Sequence, residues 1–333
     1  MRAVRVVEPS VLEVTDVPEA PLASGARVRI EQVGVCGTDV KIFHGAIPAA
    51  YPRILGHEAV GRVVEAGPLA LVKQGQRVLI DPGIACGVCD LCRRDRANLC
   101  LNGGLLGREL DGVFAESIVV PESQLIPVPD SITPDEAGLL QVLGTVVHAQ
   151  QAVDVFPGQA AVVVGLGVSG LLMVQVLRAR GANVVGISRS RAKRDLAARF
   201  GASVTAAPDE AAAAVAAFTD GHGADLVVEA VGTEDTLAQA IELAGMGRTV
   251  LMFGIVTGSG VGLPYYQLYY KELTLVGSRN AVHRDFVAGM RLASDGVVDL
   301  APLVTHRFPL AEAAKAFAAV EESSSLKVMM TVG

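Results

Sequence analysis

The stretch Ala161–Arg194, AVVVGLGVSGLLMVQVLRARGANVVGISRSRAKR, limits the possible folds more than any other part of the chain. A short apolar run, Ala161–Val164, reads as a buried parallel strand. It leads into Gly165-Leu166-Gly167-Val168-Ser169-Gly170, a G-x-G-x-x-G. Leu172, Met173, Val176 and Leu177 then recur at helical spacing, Gly181 stops the helix, and Asn183–Ile187 reads as a second buried strand. Strand, glycine turn, helix and strand within about 30 residues is the context that marks a dinucleotide site rather than a chance glycine turn. Gly165 lets the chain turn sharply, and Gly167 and Leu166 bring bare backbone to a pyrophosphate. Gly170 lets the helix lie close on the strand, and Val168 opens a helix whose free N–H groups face the anion.

The end of the second strand bears on which dinucleotide is taken. An NAD site places an Asp or Glu about 20 residues beyond the glycines. Here the strand ends Gly186-Ile187-Ser188-Arg189-Ser190-Arg191, with no acid before Asp195. Ser188 and Arg189 stand where a 2′-phosphate would lie, with Arg191, Lys193 and Arg194 close by. Cations at a helix start oppose its dipole, so an anion is expected there. NADP is therefore expected over NAD.

At 333 residues the chain is long enough for two domains. Its longest uncharged stretch, Val155–Leu177, is broken by Pro157, Gln159 and several glycines, so no spanning helix is expected. The start, MRAVRVVEPSVLEV, reads as a strand with acidic breaks rather than a signal peptide. A formal charge of −7 without a long basic block disfavours a nucleic-acid partner. A cytoplasmic globular protein is expected.

The five cysteines stand at 36, 86, 89, 92 and 100. An odd count, with four crowded together, fits a metal site in a reducing compartment better than a disulfide framework. Cys86, Cys89, Cys92 and Cys100 form C-x2-C-x2-C-x7-C. Four thiolates in one loop can close a tetrahedron around Zn²⁺ with no open position, which makes a structural site. Iron–sulfur motifs place the fourth cysteine differently and follow it with proline.

The fifth cysteine lies in Gly34-Val-Cys36-Gly-Thr38-Asp39-Val-Lys41, and Gly56-His57-Glu58-Ala-Val-Gly61 follows soon after. Together they offer a thiolate, an imidazole and a carboxylate on two nearby loops of a β-rich region. Arg27–Val33, Glu58–Glu65 and Gln76–Ile80 are its strand candidates.

GVCGTD, GHEAVGRVVEAG, the four-cysteine loop and VVVGLGVSG occur in the order and spacing of the zinc-dependent alcohol dehydrogenases, in the medium-chain dehydrogenase/reductase superfamily. The sequence resembles that family from end to end. The resemblance implies an α/β chain. A GroES-like, mostly antiparallel β-barrel catalytic domain would span 1–150, completed by about 285–333. A doubly wound parallel-sheet Rossmann domain would span 151–284. Cys36 and His57 match catalytic zinc ligands, and Glu58 matches a neighbouring carboxylate that binds the metal or sits behind it. Thr38 matches the hydroxyl that bonds the substrate oxygen and starts a proton relay, and Asp39 a residue that orients the imidazole. Zinc would polarise an alcohol oxygen so that a proton leaves through Thr38 while hydride goes to nicotinamide.

Two positions depart from the pattern. The family's remaining ligand, Cys, Glu or Asp, aligns with Gln141, a weaker neutral ligand. Either Glu58 binds directly, or water completes the shell with Gln141 loosely placed, or the catalytic metal is weak or absent. Lys41 replaces a histidine that ends the relay in many relatives; His44, acting through solvent, or a ribose hydroxyl can take that place.

Four of the five tyrosines, Tyr265, Tyr266, Tyr269 and Tyr270, crowd into one segment suited to an interface or a substrate cleft. Arg279 and Lys327 are candidate phosphate or ribose contacts. The implied activity is hydride transfer between NAD(P) and a secondary alcohol, polyol or sugar-like carbinol and its ketone, in a homodimer or homotetramer. A zinc-free reductase and a catalytically silent dinucleotide sensor are the competing readings.

Overall fold

The computed structural model describes residues 1–22, 25–67, 72–260 and 262–333. They divide into one unit of Met1–Gly144, Asn280–Asp295 and Leu300–Gly333, and another of Thr145–Arg279 and Gly296–Asp299. The division runs through the helix Leu140–Gln151.

The first unit is built on a sheet of seven strands. Its order is Leu125–Pro127, Arg77–Ile80, Glu58–Ala66, Ala26–Val35, Lys327–Thr331 and Val304–Pro309, with Ser117–Val120 also paired to Ala26–Val35. Every pairing is antiparallel except that of the two C-terminal strands. Ala26–Val35 serves three partners because Ser117–Val120 pairs with its residues 26–29 and Lys327–Thr331 with its residues 32–35, while Glu58–Ala66 runs along it with register shifts at Arg27/Val28 and Ile30/Gln32. Its alternating burial carries Val28, Ile30 and Val33 into the core beside Ile42, Phe114 and Phe317. Phe317, on the C-terminal helix Ala313–Val320, meets the Phe43 ring edge-on at 5.3 Å and Phe114 at 6.0 Å. The tail therefore completes the first unit's core.

In the second unit six parallel strands run in the order Val204–Ala206, Asn183–Ile187, Ala160–Val164, Ala224–Glu229, Ala244–Met252 and Thr274–Gly277. This is the 3-2-1-4-5-6 order of the doubly wound nucleotide fold, whose switch point lies between Ala160–Val164 and Ala224–Glu229. The strands are near-continuous Val, Ile and Leu because both faces are covered. After the strand Val204–Ala206 and Pro208, the alanine-rich segment Ala211–Phe218 forms a helix. No helix among the described residues is long and apolar enough to cross a membrane.

Candidate active site

Cys36 follows the strand Ala26–Val35 and caps the helix Gly37–Phe43, while His57 and Glu58 stand where the strand Glu58–Ala66 begins. One side chain ties these segments together. Asp39 is fully buried; its carboxylate accepts from Cys36 N at 2.8 Å and from Gly56 N at 3.2 Å. The same carboxylate lies 3.4 Å from Nδ1 of His57. Charge-assisted bonds of this kind are what make a buried carboxylate tolerable. Gly56 must be glycine: its φ is +93°, and a Cβ would lie 2.3 Å from the Phe114 ring.

The ligand atoms of Cys36, His57 and Glu58 lie within 4.8 Å of one another, close enough for one metal ion to touch all three. Asp39 on Nδ1 leaves Nε2 as the nitrogen available to a metal. Burial alone would lower the His57 pKa, but Asp39 and then Cys36 outweigh it, and the ring sits well above the usual histidine range.

Glu58 is 1% exposed and is ion-paired with Lys327, 4% exposed, whose Nζ also donates to Val35 O at 3.3 Å. Lys327, a candidate cofactor contact, has its ammonium buried against Glu58. Register explains the meeting. Glu58 lies opposite Gly34 on one side of Ala26–Val35, and Val328 lies opposite Val35 on the other. The bare Gly34 leaves the two side chains room to meet. A Cβ there would stand 2.2 Å from Glu58 Oε2 and 2.5 Å from Lys327 Cε.

Thr38, in the first turn of the helix, is half-buried, and its hydroxyl makes no hydrogen bond among the described residues. Gln141, 5% exposed on Leu140–Gln151, likewise makes none. Lys41 is half-buried. His44 is engaged at the surface, 3.4 Å from Ser10 Oγ and 3.2 Å from Glu321.

The four-cysteine loop forms a second cluster. All four sulfurs lie within 4.8 Å of one another as free thiols, with Cys89 Sγ 3.4 Å from Cys92 Sγ and 3.9 Å from Cys100 Sγ. A zinc–sulfur bond of about 2.3 Å gives an edge of roughly 3.8 Å in a tetrahedron, so the spacing fits zinc. Backbone N–H groups of Val88 and Cys89 bring the Cys86 thiol down to about 6, while burial pushes Cys92 up to about 12.

In the second unit, Gly165 (φ +97°) turns the chain after Ala160–Val164, and Gly167 caps the helix Val168–Ala179 without a side-chain bond. A Cβ on Gly170 would lie 1.8 Å from Gly165 O, which only glycine avoids. Leu166 is buried beneath the turn. At the next strand end, Ser188 is half-buried and Arg189 exposed, with no ion-pair partner for its guanidinium among the described residues. Arg194 is engaged with the main chain. Through one guanidinium nitrogen it donates to the carbonyls of Ser188 at 2.6 Å and Arg189 at 3.1 Å, which shapes the turn at this strand end.

The sequence matches the alcohol dehydrogenase GroES-like domain over residues 23–130 and the zinc-binding dehydrogenase family over 168–295. L-galactonate-5-dehydrogenase of Escherichia coli K12 is 33% identical over 88% of this chain and 86% of its own length. The chain belongs to the zinc-binding alcohol dehydrogenases. Sorbitol dehydrogenase of Halalkalibacterium halodurans is 29% identical over 92% of this dehydrogenase and 91% of its own length. Among solved structures, alcohol dehydrogenase TADH from Thermus sp. ATN1 superposes with a TM-score of 0.92 at 31% identity over all of both chains. A zinc-binding dehydrogenase of Sinorhizobium meliloti 1021, solved bound to NADP, gives 0.91 at 31% identity over 99% of both. The chain is therefore a nicotinamide-dependent oxidoreductase, with a GroES-like unit and a Rossmann unit.

Two features of this dehydrogenase lie outside the sequence motifs. The Glu58–Lys327 pair joins the start of one strand to the far C-terminus. Glu229, an acid ending the apolar run Ala224–Glu229, is fully buried in the second unit. An acid closing a buried strand was the one available cue.

Proposed function

We propose that this dehydrogenase interconverts a secondary alcohol of the polyol or sugar-acid class and its ketone, and that it prefers NADP to NAD. Cys36, His57 and Glu58 hold the catalytic zinc, with Gln141 or water at the remaining position; Cys86, Cys89, Cys92 and Cys100 hold a structural zinc. The observation that carries this reading is the convergence of Cys36, His57 and Glu58 within 4.8 Å, with Asp39 braced against both the cysteine and histidine segments.

When bound, zinc lowers the pKa of the alcohol, and the nicotinamide takes up the hydride. The chain's own residues do the rest. Asp39 holds the His57 ring in one tautomer and orientation. Thr38, its hydroxyl uncommitted, accepts the alcohol proton and passes it to solvent. Lys327 pairs with Glu58 and fixes where its carboxylate lies. Gln141 offers a neutral amide, which leaves more positive charge at the metal than a thiolate would.

The substrate class rests on the relatives: L-galactonate-5-dehydrogenase and sorbitol dehydrogenase are named above, and a D-xylulose reductase of Aspergillus niger is 31% identical over 94% of this chain. The NADP preference rests on the exposed, unpaired Arg189 and on the absence of an acid at that strand end. Five free thiols support a cytoplasmic setting. We further propose a homodimer or homotetramer, supported by the outer strand Thr274–Gly277 at the end of its sheet and by the exposed Tyr266–Tyr270 stack nearby in sequence.

The test is initial-rate assay of polyols and their ketones with NADP(H) and NAD(H), on the parent and on His57→Ala. The parent should turn over at least one polyol pair with NADP(H), and His57→Ala should bind the dinucleotide without turnover. Unchanged turnover in His57→Ala would remove the zinc mechanism. Dinucleotide binding without turnover of any substrate would favour a sensor.

A further inference from the structure

We infer that Glu229 is a positioning residue for the dinucleotide, setting the three turns at the C-terminal ends of the central strands; the inference rests on the nucleotide reading above. Glu229 ends the strand Ala224–Glu229 beside the switch point and is fully buried. Its Oε1 accepts three hydrogen bonds, each 2.8 Å: from Val231 N, Gly232 N and Thr236 Oγ1. Its main-chain oxygen accepts two more, from Phe253 N and Gly254 N, both 2.9 Å. One residue therefore fixes its own turn, the start of the helix Glu234–Leu243 and the end of the next strand.

Those turns are packed without slack. A Cβ on Gly165, in the glycine turn, would lie 2.4 Å from Val231 Cγ2. A Cβ on Gly232 would lie 2.8 Å from Ile255 N, and one on Gly254 2.3 Å from Gly232 N and 2.5 Å from Glu229 Oε2. The phosphate turn thus rests on Val231, and the 231–232 turn rests on residues 254–255. Val231 and Ile255 emerge 47% and 48% exposed, as apolar surface at the strand ends where the Rossmann order puts the ligand. An oxygen accepting three short bonds is best supplied by a carboxylate, since ionised acceptors form the strongest hydrogen bonds. An acid whose work was only to stabilise the strand would not need to hold the turns on both sides of it.

The test is NADPH and NADH titration, followed by fluorescence, of the parent, Glu229→Ala, Glu229→Gln, Thr236→Val and the remote core truncation Val215→Ala, with a melting temperature for each. Glu229→Ala should raise the NADPH Kd by about tenfold or more, and Glu229→Gln, whose amide oxygen still accepts, should recover most of it. Val215→Ala should lower the melting temperature and leave Kd unchanged. If Glu229→Ala does not fold, Thr236→Val, which removes one donor of three, should raise Kd about threefold. A folded Glu229→Ala or Thr236→Val with parental Kd would overturn the inference. So would a Kd that tracks melting temperature across all variants, Val215→Ala included. A parent that binds neither dinucleotide would overturn the nucleotide reading itself, and the inference with it.

Discussion

Replacing Lys327 by methionine keeps most of the side chain's volume and removes its charge, leaving the Glu58 carboxylate without its counter-ion. Both members of the pair are nearly fully buried, at 4% and 1% exposed, so water cannot take the ammonium's place. Removing one partner of such a pair costs about 3–5 kcal/mol, most of it the penalty of an uncompensated buried charge. The double variant Glu58→Gln/Lys327→Met removes both charges and should regain at least about half of that loss. Urea unfolding of the metal-free protein, in which no zinc takes the ammonium's place beside Glu58, followed by circular dichroism, would measure Lys327→Met, Glu58→Gln and the double variant against the parent. The geometry also places the Lys327 ammonium against a carboxylate and a backbone carbonyl. Lys327→Met should therefore bind NADPH within about threefold of the parent, where loss of a phosphate contact would cost tenfold or more. The reasoning is refuted if Lys327→Met is as stable as the parent to within about 1 kcal/mol, or if the coupling energy is near zero. It is refuted equally if NADPH affinity collapses while stability holds, for that would make Lys327 a cofactor contact.

Arg189→Ala should weaken NADPH by about tenfold or more while moving NADH little, because only the 2′-phosphate needs that cation; equal losses would sink the NADP assignment. Cys89→Ser should lower the zinc content by one ion per chain, as elemental analysis would show, and lower the melting temperature as the loop loses its clasp; retained zinc would refute the four-thiolate site. Asp81 is 6% exposed, and burial raises its carboxyl from 3.8 to about 7. The folded state then holds a proton the unfolded chain has released, so this group's contribution to stability falls as pH rises from about 4 to about 7. Asp81→Asn removes that slope and should gain on the parent over this window, by about 4 kcal/mol at most; urea midpoints that keep a constant gap across the window would refute it.

What the sequence determined by itself lies in motifs whose parts are close along the chain. The glycine turn Gly165–Gly170 and the loop Cys86–Cys100 keep their groups close along the chain, so a phosphate cradle and a thiolate tetrahedron could be expected from local sequence alone. Cys36, His57 and Glu58 were legible for a related reason: each stands at the edge of a strand, and those strands pair directly. The apolar runs of the second unit likewise encode a sheet buried on both faces. Tertiary structure decided the partners of charged side chains. Nothing local tells Lys327 that its strand will lie across Ala26–Val35 from Glu58, with Gly34 leaving the gap between them. Nor does any local pattern show that Arg194 folds back on the carbonyls of Ser188 and Arg189, or that the Glu229 carboxylate gathers three donors. The physical reason is burial. A charge in solvent needs no particular partner, whereas a charge enclosed by a sheet must find one, and which one it finds depends on strand register.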